Sequence, residues 1–213
     1  IKQMHYPPLK IKKMQPKKDW FIDKAYVYDT DKHRTQNVDN IAQGILRELT
    51  FSKNMRIMDF GSGTGLLLSK IAPFVGKITA VDISKSMNEV LRIKEMDCEI
   101  QILEMDLTKE KLDQQFDSII TSMTLHHIYN IDELFKTFHS LLHDNGRIAI
   151  ADLDTEDGSF HTDDTGVHHH GFDRVEFMRI AESAGFRNLN IQSVSTVVKP
   201  HGKYSVFLLT GEK

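Results

Sequence analysis

The stretch Ile57-Met58-Asp59-Phe60-Gly61-Ser62-Gly63-Thr64-Gly65 decides the fold of this chain. A short apolar run that carries one acid leads directly into three alternating glycines, and an apolar segment of helical character follows at 66–74. Glycine lets the backbone adopt positive φ and lets a ligand lie against the main chain without a Cβ between them. The succession of strand, glycine turn and helix predicts the first half of a βαβ unit.

The rest of the chain continues this alternation. Apolar runs typical of strands alternate with segments that have helical spacing and capping residues. Strands that alternate with helices predict a mainly parallel sheet with helices on both faces, in which ligands bind beyond the carboxyl ends of the strands. The predicted strands are 56–60, 77–81, 99–103, 116–121, 147–151, 189–198 and 204–210, and the predicted helices are 34–50, 66–74, 84–96, 130–142 and 173–184.

Length and charge limit the classes of function. The 213 residues suit one domain, and a net charge of -3 provides no general attraction for nucleic acid. Residues 1–18 carry six lysines and no acid, which predicts a solvated arm or a segment that holds an acidic substrate. We expect an N-terminal arm and closing segment at 1–33, and a main domain at 34–213 with a lid insertion at about 153–172.

Cysteine usage and hydropathy indicate the compartment. The single cysteine, Cys98, excludes an intrachain disulfide and suits a reducing cytosol. No apolar run approaches the roughly 20 residues that a membrane helix needs. We therefore expect a cytoplasmic protein that does not contact a membrane, and the sequence leaves its oligomeric state open.

The spacing of the glycines indicates the type of ligand. The pattern is G-x-G-x-G, whereas the dinucleotide fingerprint is G-x-G-x-x-G and a phosphate loop ends in G-K-[ST]. Asp59 places a negative charge just before the turn, which favours a cationic ligand. Asp82 ends the second strand, where an acid can accept hydrogen bonds from both ribose hydroxyls of an adenosine. The alternative for Asp82 is a turn or capping aspartate.

Five motifs together resemble class I S-adenosylmethionine-dependent methyltransferases. Residues 59–65 resemble the first motif, Ala80-Val81-Asp82-Ile83-Ser84 the second, and Met105-Asp106-Leu107 the third. Residues 116–122 and 141–147 resemble the fourth and fifth, in the same order and at similar spacing. The fold that this resemblance implies is a doubly wound, Rossmann-like α/β domain with a seven-stranded sheet, mostly parallel, with an antiparallel last strand.

The resemblance also implies which residues hold S-adenosylmethionine. The methionine portion would lie against Gly61, Gly63 and Gly65, with Asp59 near its amino group. Thr121, at the end of the fourth strand, would border the sulfonium.

The adenosine portion would contact the second and third motifs. Asp82 would hold the ribose diol, and Ile83 would pack on the adenine face. Asp106 would accept from the adenine amino group, and the backbone of Leu107 would contact the ring edge. The alternative for Asp106 is a loop aspartate that caps the segment after it.

Candidates for catalysis follow the fourth strand and precede the first helix. His126 and His127 are either substrate-facing residues or a structural pair at the start of a loop. Tyr28, with Tyr26 nearby, either closes over the cofactor or packs the arm onto the domain. A general base is needed only if the acceptor atom carries a proton that must leave.

The segment Phe160-His161-Thr162-Asp163-Asp164-Thr165-Gly166-Val167-His168-His169-His170-Gly171-Phe172 is unusually rich in histidine. Four histidines and two aspartates suggest a metal site. However, adjacent histidines on an extended chain point to opposite sides, so their spacing alone does not converge on one ion. We expect a polar lid or substrate wall and no metal; a solvated loop and a metal site are the alternatives.

The leading hypothesis is therefore an enzyme that transfers a methyl group from S-adenosylmethionine to a small molecule by in-line displacement. The segment Thr121-Ser122-Met123-Thr124 lacks the Asn/Asp-Pro-Pro-aromatic motif of enzymes that methylate nucleic-acid bases or glutamine, and we expect no nucleic-acid partner. One alternative is a non-catalytic protein that binds S-adenosylmethionine or S-adenosylhomocysteine. Another is an NAD-dependent oxidoreductase, which the glycine spacing and Asp59 disfavour.

Overall fold

One seven-stranded sheet organises residues 19–163 and 165–213, which are the residues that this computed structural model describes. The lysine-rich stretch 1–18 lies outside the described residues, as does Asp164 of the lid. The strands are β1 Arg56–Phe60, β2 Lys77–Asp82, β3 Glu99–Glu104, β4 Phe116–Ser122, β5 Leu142–Leu153, β6 Arg187–Lys199 and β7 Gly202–Glu212.

The strand order is β3-β2-β1-β4-β5-β7-β6. Strands β1 to β5 pair in parallel, whereas β7 pairs antiparallel with both β5 and β6. This arrangement confirms the predicted seven-stranded, mostly parallel sheet. The order reverses between β1 and β4, so a crevice opens beyond the carboxyl ends of these two strands, where open α/β sheets bind their ligands.

Within residues 19–163 and 165–213, five α-helices cover the sheet, and capping side chains fix where most of them begin. Asp31, Ser84, Asn130 and Asp173 each accept a hydrogen bond from a backbone N–H in the first turn of the helix that follows. Asn130 accepts from the N–H of Glu133, and Asp173 accepts from the N–H of Glu176, three residues later in each case. The helices are α1 Lys32–Glu48, α2 Leu66–Ile71, α3 Lys85–Arg92, α4 Ile131–Leu141 and α5 Arg174–Ser183.

Alternation along the strands gives the sheet two apolar faces. Ile57 packs with α1 and α2 on one face, and its neighbour Met58 packs with α4 and α5 on the other. The second face is rich in phenylalanine, with Phe135, Phe138 and Phe177 fully buried. Because both faces are buried, the central strands are nearly continuous apolar runs.

Three predicted elements, in α2, α3 and β5, have different ends in the structure, each with a local feature at the point of difference. The predicted helix 66–74 ends as a helix at Ile71 and continues as a 3-10 turn, since Pro73 has no N–H for an α-helical bond. The predicted helix 84–96 ends at Arg92. Beyond this end, the side chain of Lys94 donates a hydrogen bond from Nζ to the carbonyl oxygen of Thr64. The predicted strand 147–151 is part of the longer β5, which begins at Leu142 and contains a bulge in which Asn145 has a φ of 62°.

Among the described residues, no helix has both the length and the apolar character that crossing a bilayer requires.

Candidate active site

The glycine turn lies at the carboxyl end of β1 and uses each glycine differently. Gly61, Gly63 and Gly65 all have positive φ, of 69°, 53° and 81°. A Cβ on Gly61 would lie 2.2 Å from Cγ2 of Thr124, and one on Gly65 would lie 2.5 Å from Cδ1 of Leu91. A Cβ on Gly63 would meet no atom within 4 Å. Two of the glycines are therefore required by close packing, whereas Gly63 faces open space beside the crevice.

Asp82, at the end of β2, lies directly against this turn. One carboxylate oxygen accepts from the N–H of Gly63 and the other from the N–H of Ser84, both at 2.8 Å. Burial nevertheless raises the pKa of Asp82 above its usual range. Each carboxylate oxygen can accept more than one hydrogen bond, so Asp82 retains acceptor capacity for further donors.

Asp59 is the least satisfied charge in the crevice. Its side chain is 1% exposed, and its Oδ2 has no hydrogen-bond partner among the described residues. Burial, together with the nearby charge of Asp82, raises the pKa of Asp59 well above its usual range. Asn37 Oδ1 and Ser62 Oγ, which line the same crevice, are also buried without a partner in the described part of the chain. Such a set of acceptors requires donors from a ligand or from water.

A segment that precedes α1 forms the wall opposite the turn. The Tyr28 ring lies under the Arg34 guanidinium at 3.8 Å, and Arg34 Nη1 donates to the Tyr28 carbonyl at 2.7 Å. Asp29 accepts from the Thr64 hydroxyl at 2.6 Å and forms an ion pair with Lys94. These bonds hold Tyr28 at the rim of the crevice, and burial raises the pKa of its hydroxyl, which therefore stays protonated at neutral pH.

His126 and Asp152 form a buried pair on the other side of β4. The two side chains are 1% and 0% exposed, and His126 Nδ1 lies 2.6 Å from Asp152 Oδ1. Asp152 also accepts from the backbone N–H groups of Leu125 and Leu153, at 2.9 and 2.8 Å. The charge and hydrogen bond of His126, with these N–H groups, hold the pKa of Asp152 below its usual range even though it is buried.

Two further histidines complete a cluster, defined here as His126, His127 and His161. His126 Nε2 lies 3.2 Å from Nε2 of His161, which the lid supplies. Burial, reinforced by the charge of His126, lowers the pKa of His127 to about 4 and that of His161 to about 3. The rings of His127 and His161 are therefore neutral at physiological pH.

The three consecutive histidines of the lid do not join this cluster. His168 packs edge-on against Tyr129, and His169 Nε2 lies 2.9 Å from the carbonyl oxygen of Ile128. The ring of His170 lies against Gly158. The backbone N–H groups of His168 and His169 both reach the carbonyl oxygen of His126, which attaches the lid to the cluster.

The family comparison agrees with this geometry. A family described as "Methyltransferase domain" matches residues 31–191, which is most of the chain. The chain belongs to the class I S-adenosylmethionine-dependent methyltransferase family.

Curated relatives of this methyltransferase are similar over part of their length. An uncharacterised methyltransferase of Schizosaccharomyces pombe is 29% identical over 77% of this chain and 64% of its own. A ubiquinone biosynthesis O-methyltransferase of Pelagibacter ubique is 28% identical over 47% of this chain and 43% of its own. The chain therefore spans between two fifths and two thirds of these relatives.

Solved structures share the fold of this methyltransferase at low sequence identity. A complex of DhpI with S-adenosylhomocysteine superposes with a TM-score of 0.72 at 17% identity and covers 91% of this chain and 93% of its own. Haemonchus contortus phosphoethanolamine N-methyltransferase 2 gives a TM-score of 0.69 at 14% identity, over 92% of this chain and 59% of its own.

The remaining predicted cofactor residues differ in how the methyltransferase presents them. Ile83 is 54% exposed, and its packing on the adenine face stays a prediction. Thr121 is fully buried, and Ser122 and Met123 line the crevice instead. Asp106 accepts from the N–H and hydroxyl of Thr108, as in the capping alternative, and Leu107 is buried.

Sequence reasoning missed three residues of the site. Asp152 lies 26 residues after His126, and the signal for it is an acid within the apolar strand β5. His161 was counted only as one of four lid histidines. Asn37, on the buried side of α1, carries one of the unpartnered oxygens and interrupts the apolar stripe of that helix.

Proposed function

We propose that this protein transfers a methyl group from S-adenosylmethionine to a small-molecule acceptor. The observation that carries the proposal is the buried Asp59 carboxylate, which has no partner for Oδ2 within the described residues, beside a glycine turn that leaves one face open. A buried, unpaired carboxylate at a crevice wall is suited to a cationic donor. S-adenosylmethionine, when bound, supplies both an ammonium group and a sulfonium-activated methyl for in-line displacement by the acceptor atom.

The chain's own residues would bind and orient the two halves of this ligand. Asp59 accepts from the amino group, and Gly63 leaves room against the main chain for the methionine portion. Asp82 accepts from the ribose hydroxyls, and the exposed Ile83 covers the adenine face. Asp106 already accepts from Thr108 and from Lys109 Nζ, and it uses its remaining lone pairs toward the adenine edge.

Alignment and exclusion of water would account for most of the rate enhancement. Tyr28 is held at the crevice rim by Arg34, and its protonated hydroxyl serves as a hydrogen-bond donor rather than a base. Phe21 lies edge-on to both Tyr28 and His127, at centroid distances of 6.2 and 6.4 Å. This aromatic wall connects the crevice to the histidine cluster, and we assign the acceptor to the space beside it.

The class of acceptor is the second part of the proposal. Relatives named for ubiquinone biosynthesis and for sterol 4-C-methylation, and a structural neighbour complexed with phosphomonomethylethanolamine, support a small molecule. If the acceptor atom carries a proton, the histidine cluster activates it, and Asp152 orients His126 for this role. Residues 153–172 then serve as the lid over the acceptor.

Calorimetric titration of the full chain with S-adenosylmethionine tests the cofactor assignment. Asp82→Ala should weaken binding by about 1–3 kcal/mol, because it removes a charged acceptor for two hydroxyls. The matched control is Asp113→Ala, at an exposed acid away from the crevice, which should bind like the wild type. Unchanged affinity of Asp82→Ala, or binding of NAD in place of S-adenosylmethionine, would overturn the assignment.

Incubation with S-adenosylmethionine and a panel of small hydroxyl, amine and thiol acceptors tests turnover. Formation of S-adenosylhomocysteine that depends on one acceptor is the expected result. Tight binding of the cofactor without turnover on any acceptor would favour the non-catalytic binding protein.

A further inference from the structure

Three imidazole rings from two distant segments meet at one point. His126 and His127 come from the 3-10 turn after β4, and His161 comes from the lid. One ring nitrogen of each residue lies within 4.8 Å of those of the other two. Of these, Nε2 of His126 and Nε2 of His161 are 3.2 Å apart.

This spacing suits a shared ion. Two imidazole ligands on a tetrahedral zinc ion, each about 2.0–2.1 Å from it, have nitrogen atoms roughly 3.3 Å apart. The pair His126–His161 already has this separation. The third nitrogen, on the partly buried His127, lies within 4.8 Å of both, so a shared ion would require this ring to move closer to the other two.

The outer nitrogens of the three rings are held as they are in metal sites. Nδ1 of each ring faces a protein oxygen: Asp152 Oδ1 at 2.6 Å for His126, the Gly166 carbonyl at 3.4 Å for His127, and Thr165 Oγ1 at 3.3 Å for His161. Metal-ligating histidines almost always engage their second nitrogen in this way, which fixes the tautomer and aims the other nitrogen at the ion. The buried carboxylate of Asp152 is the strongest of the three supports.

We propose that His126, His127 and His161 together bind one divalent transition-metal ion, with zinc the best fit. Three imidazole ligands favour zinc, cobalt, nickel or copper over magnesium or calcium, which prefer oxygen. Three protein ligands leave a fourth coordination position open, as in catalytic rather than structural zinc sites. The partly exposed rings of His127 and His161 place this position on the accessible side of the cluster, beside Phe21.

The ion would have two consequences. It would add a further connection between the lid and the turn after β4, beside the hydrogen bonds that His168 and His169 already donate to the carbonyl oxygen of His126. Where the proposed methyl transfer also holds, the ion would bind the acceptor oxygen and lower the pKa of its hydroxyl, and the histidines would act as ligands rather than bases. Ion binding itself does not depend on methyl transfer.

Titration of the full chain, produced without a histidine tag and stripped with a chelator, tests the site. Zinc chloride should bind at one ion per chain in calorimetry, and cobalt chloride should give the visible absorption of a tetrahedral cobalt complex. His161→Ala and His127→Ala should each weaken zinc binding at least about tenfold and abolish the cobalt absorption. The control is His170→Ala in the same lid, whose ring lies outside the cluster and which should bind zinc like the wild type.

The outcomes separate this site from the cofactor site. Retention of the cobalt absorption in His161→Ala, equal loss of binding in His170→Ala, or no zinc binding by the wild type would overturn the proposal. The same variants are titrated with S-adenosylhomocysteine, which should bind with unchanged affinity because none of the three histidines lines the glycine-turn crevice. Normal binding of S-adenosylhomocysteine also shows that the variants are folded. If the wild-type chain did not bind S-adenosylhomocysteine, that result would count against the proposed function alone and not against the metal site.

Discussion

Two buried aspartates, one on each side of β4, have opposite surroundings. Asp59 in the glycine-turn crevice and Asp152 in the histidine cluster are 1% and 0% exposed. Asp59 has an oxygen without a partner in the described structure and a raised pKa, whereas Asp152 accepts from a histidine and from backbone N–H groups and has a lowered pKa. Burial is the same in both cases, so the neighbouring charged groups and the hydrogen-bond partners make the difference.

The difference indicates how each region relates to its ligand. A buried carboxylate whose partners are all within the chain stabilises the fold and orients a neighbour. A buried carboxylate without them costs stability until a ligand supplies a donor. The crevice is therefore set up for an incoming cation, whereas the carboxylate of the cluster already has its hydrogen-bond partners within the chain.

Removal of Asp152 should have the largest effect. Asp152→Ala should lower the free energy of unfolding by about 3–5 kcal/mol, because it leaves His126 and two buried N–H groups without their acceptor. Urea unfolding followed by circular dichroism measures the change, with the exposed Asp113→Ala as the control. A loss below about 1 kcal/mol would mean that the pair is not the structural anchor of the cluster.

Alanine at Gly61 and alanine at Gly63 should have different effects on stability and on ligand binding. Gly61→Ala should lower the free energy of unfolding by about 2–4 kcal/mol, since positive φ and a clash with Thr124 act together. Gly63→Ala should lose only about 1 kcal/mol, from its φ alone. The new Cβ of Gly63→Ala enters the open crevice, however, so this variant should bind S-adenosylhomocysteine at least about tenfold more weakly than the wild type. Equal stability losses in thermal unfolding, or normal binding to Gly63→Ala, would contradict this division.

Replacement of Asp59 should have the opposite sign to replacement of Asp152. Asp59→Asn should raise the free energy of unfolding at neutral pH by about 1 kcal/mol or more, because the wild type must either keep Asp59 protonated or bury its charge without a partner, and asparagine avoids both costs. The raised pKa keeps Asp59 protonated in the folded chain at pH values where the unfolded chain has lost the proton. Wild-type stability should therefore fall as pH rises above about 4, and the gap to the variant should widen until the folded-state pKa is passed.

Urea unfolding of the wild type and of Asp59→Asn between pH 4 and pH 8 measures the difference in their free energies of unfolding. The same titrations with added S-adenosylhomocysteine are the control. Its ammonium group should stabilise the wild type more than Asp59→Asn. A constant gap across the pH range would show that Asp59 titrates normally and that the crevice does not strain it.

The same contrast explains what the sequence could predict. The crevice is assembled from strand ends and turns that are fixed by local patterns: the three glycines, the acid at the end of β2 and the N-cap at Ser84. The parallel order of β1 and β2 then brings these local features together without further information. Fold class and the contact between Asp82 and the turn were therefore predictable.

The histidine cluster was not predictable in the same way. Its contacts join His126 to residues 26 and 35 positions away, and one of these is in an irregular lid without periodicity. The sequence drew attention to the consecutive histidines 168–170, whereas the structure gives them three separate partners. Which lid histidine turns inward depends on tertiary packing, such as Phe160 against Tyr204, that no local pattern encodes.

The smallest effect should come from the exposed contact between the N-terminal segment and the lid. Lys24 Nζ lies 2.8 Å from Asp163 Oδ2, but the two side chains are 49% and 67% exposed. Water and salt screen such a pair, so Lys24→Ala should leave both the urea midpoint and S-adenosylhomocysteine affinity unchanged within error. A measurable loss would mean that the lid depends on this ion pair. An unchanged midpoint and affinity would mean that buried contacts hold the lid in place. The chief ones are the packing of Phe160 and the hydrogen bond between His161 and His126.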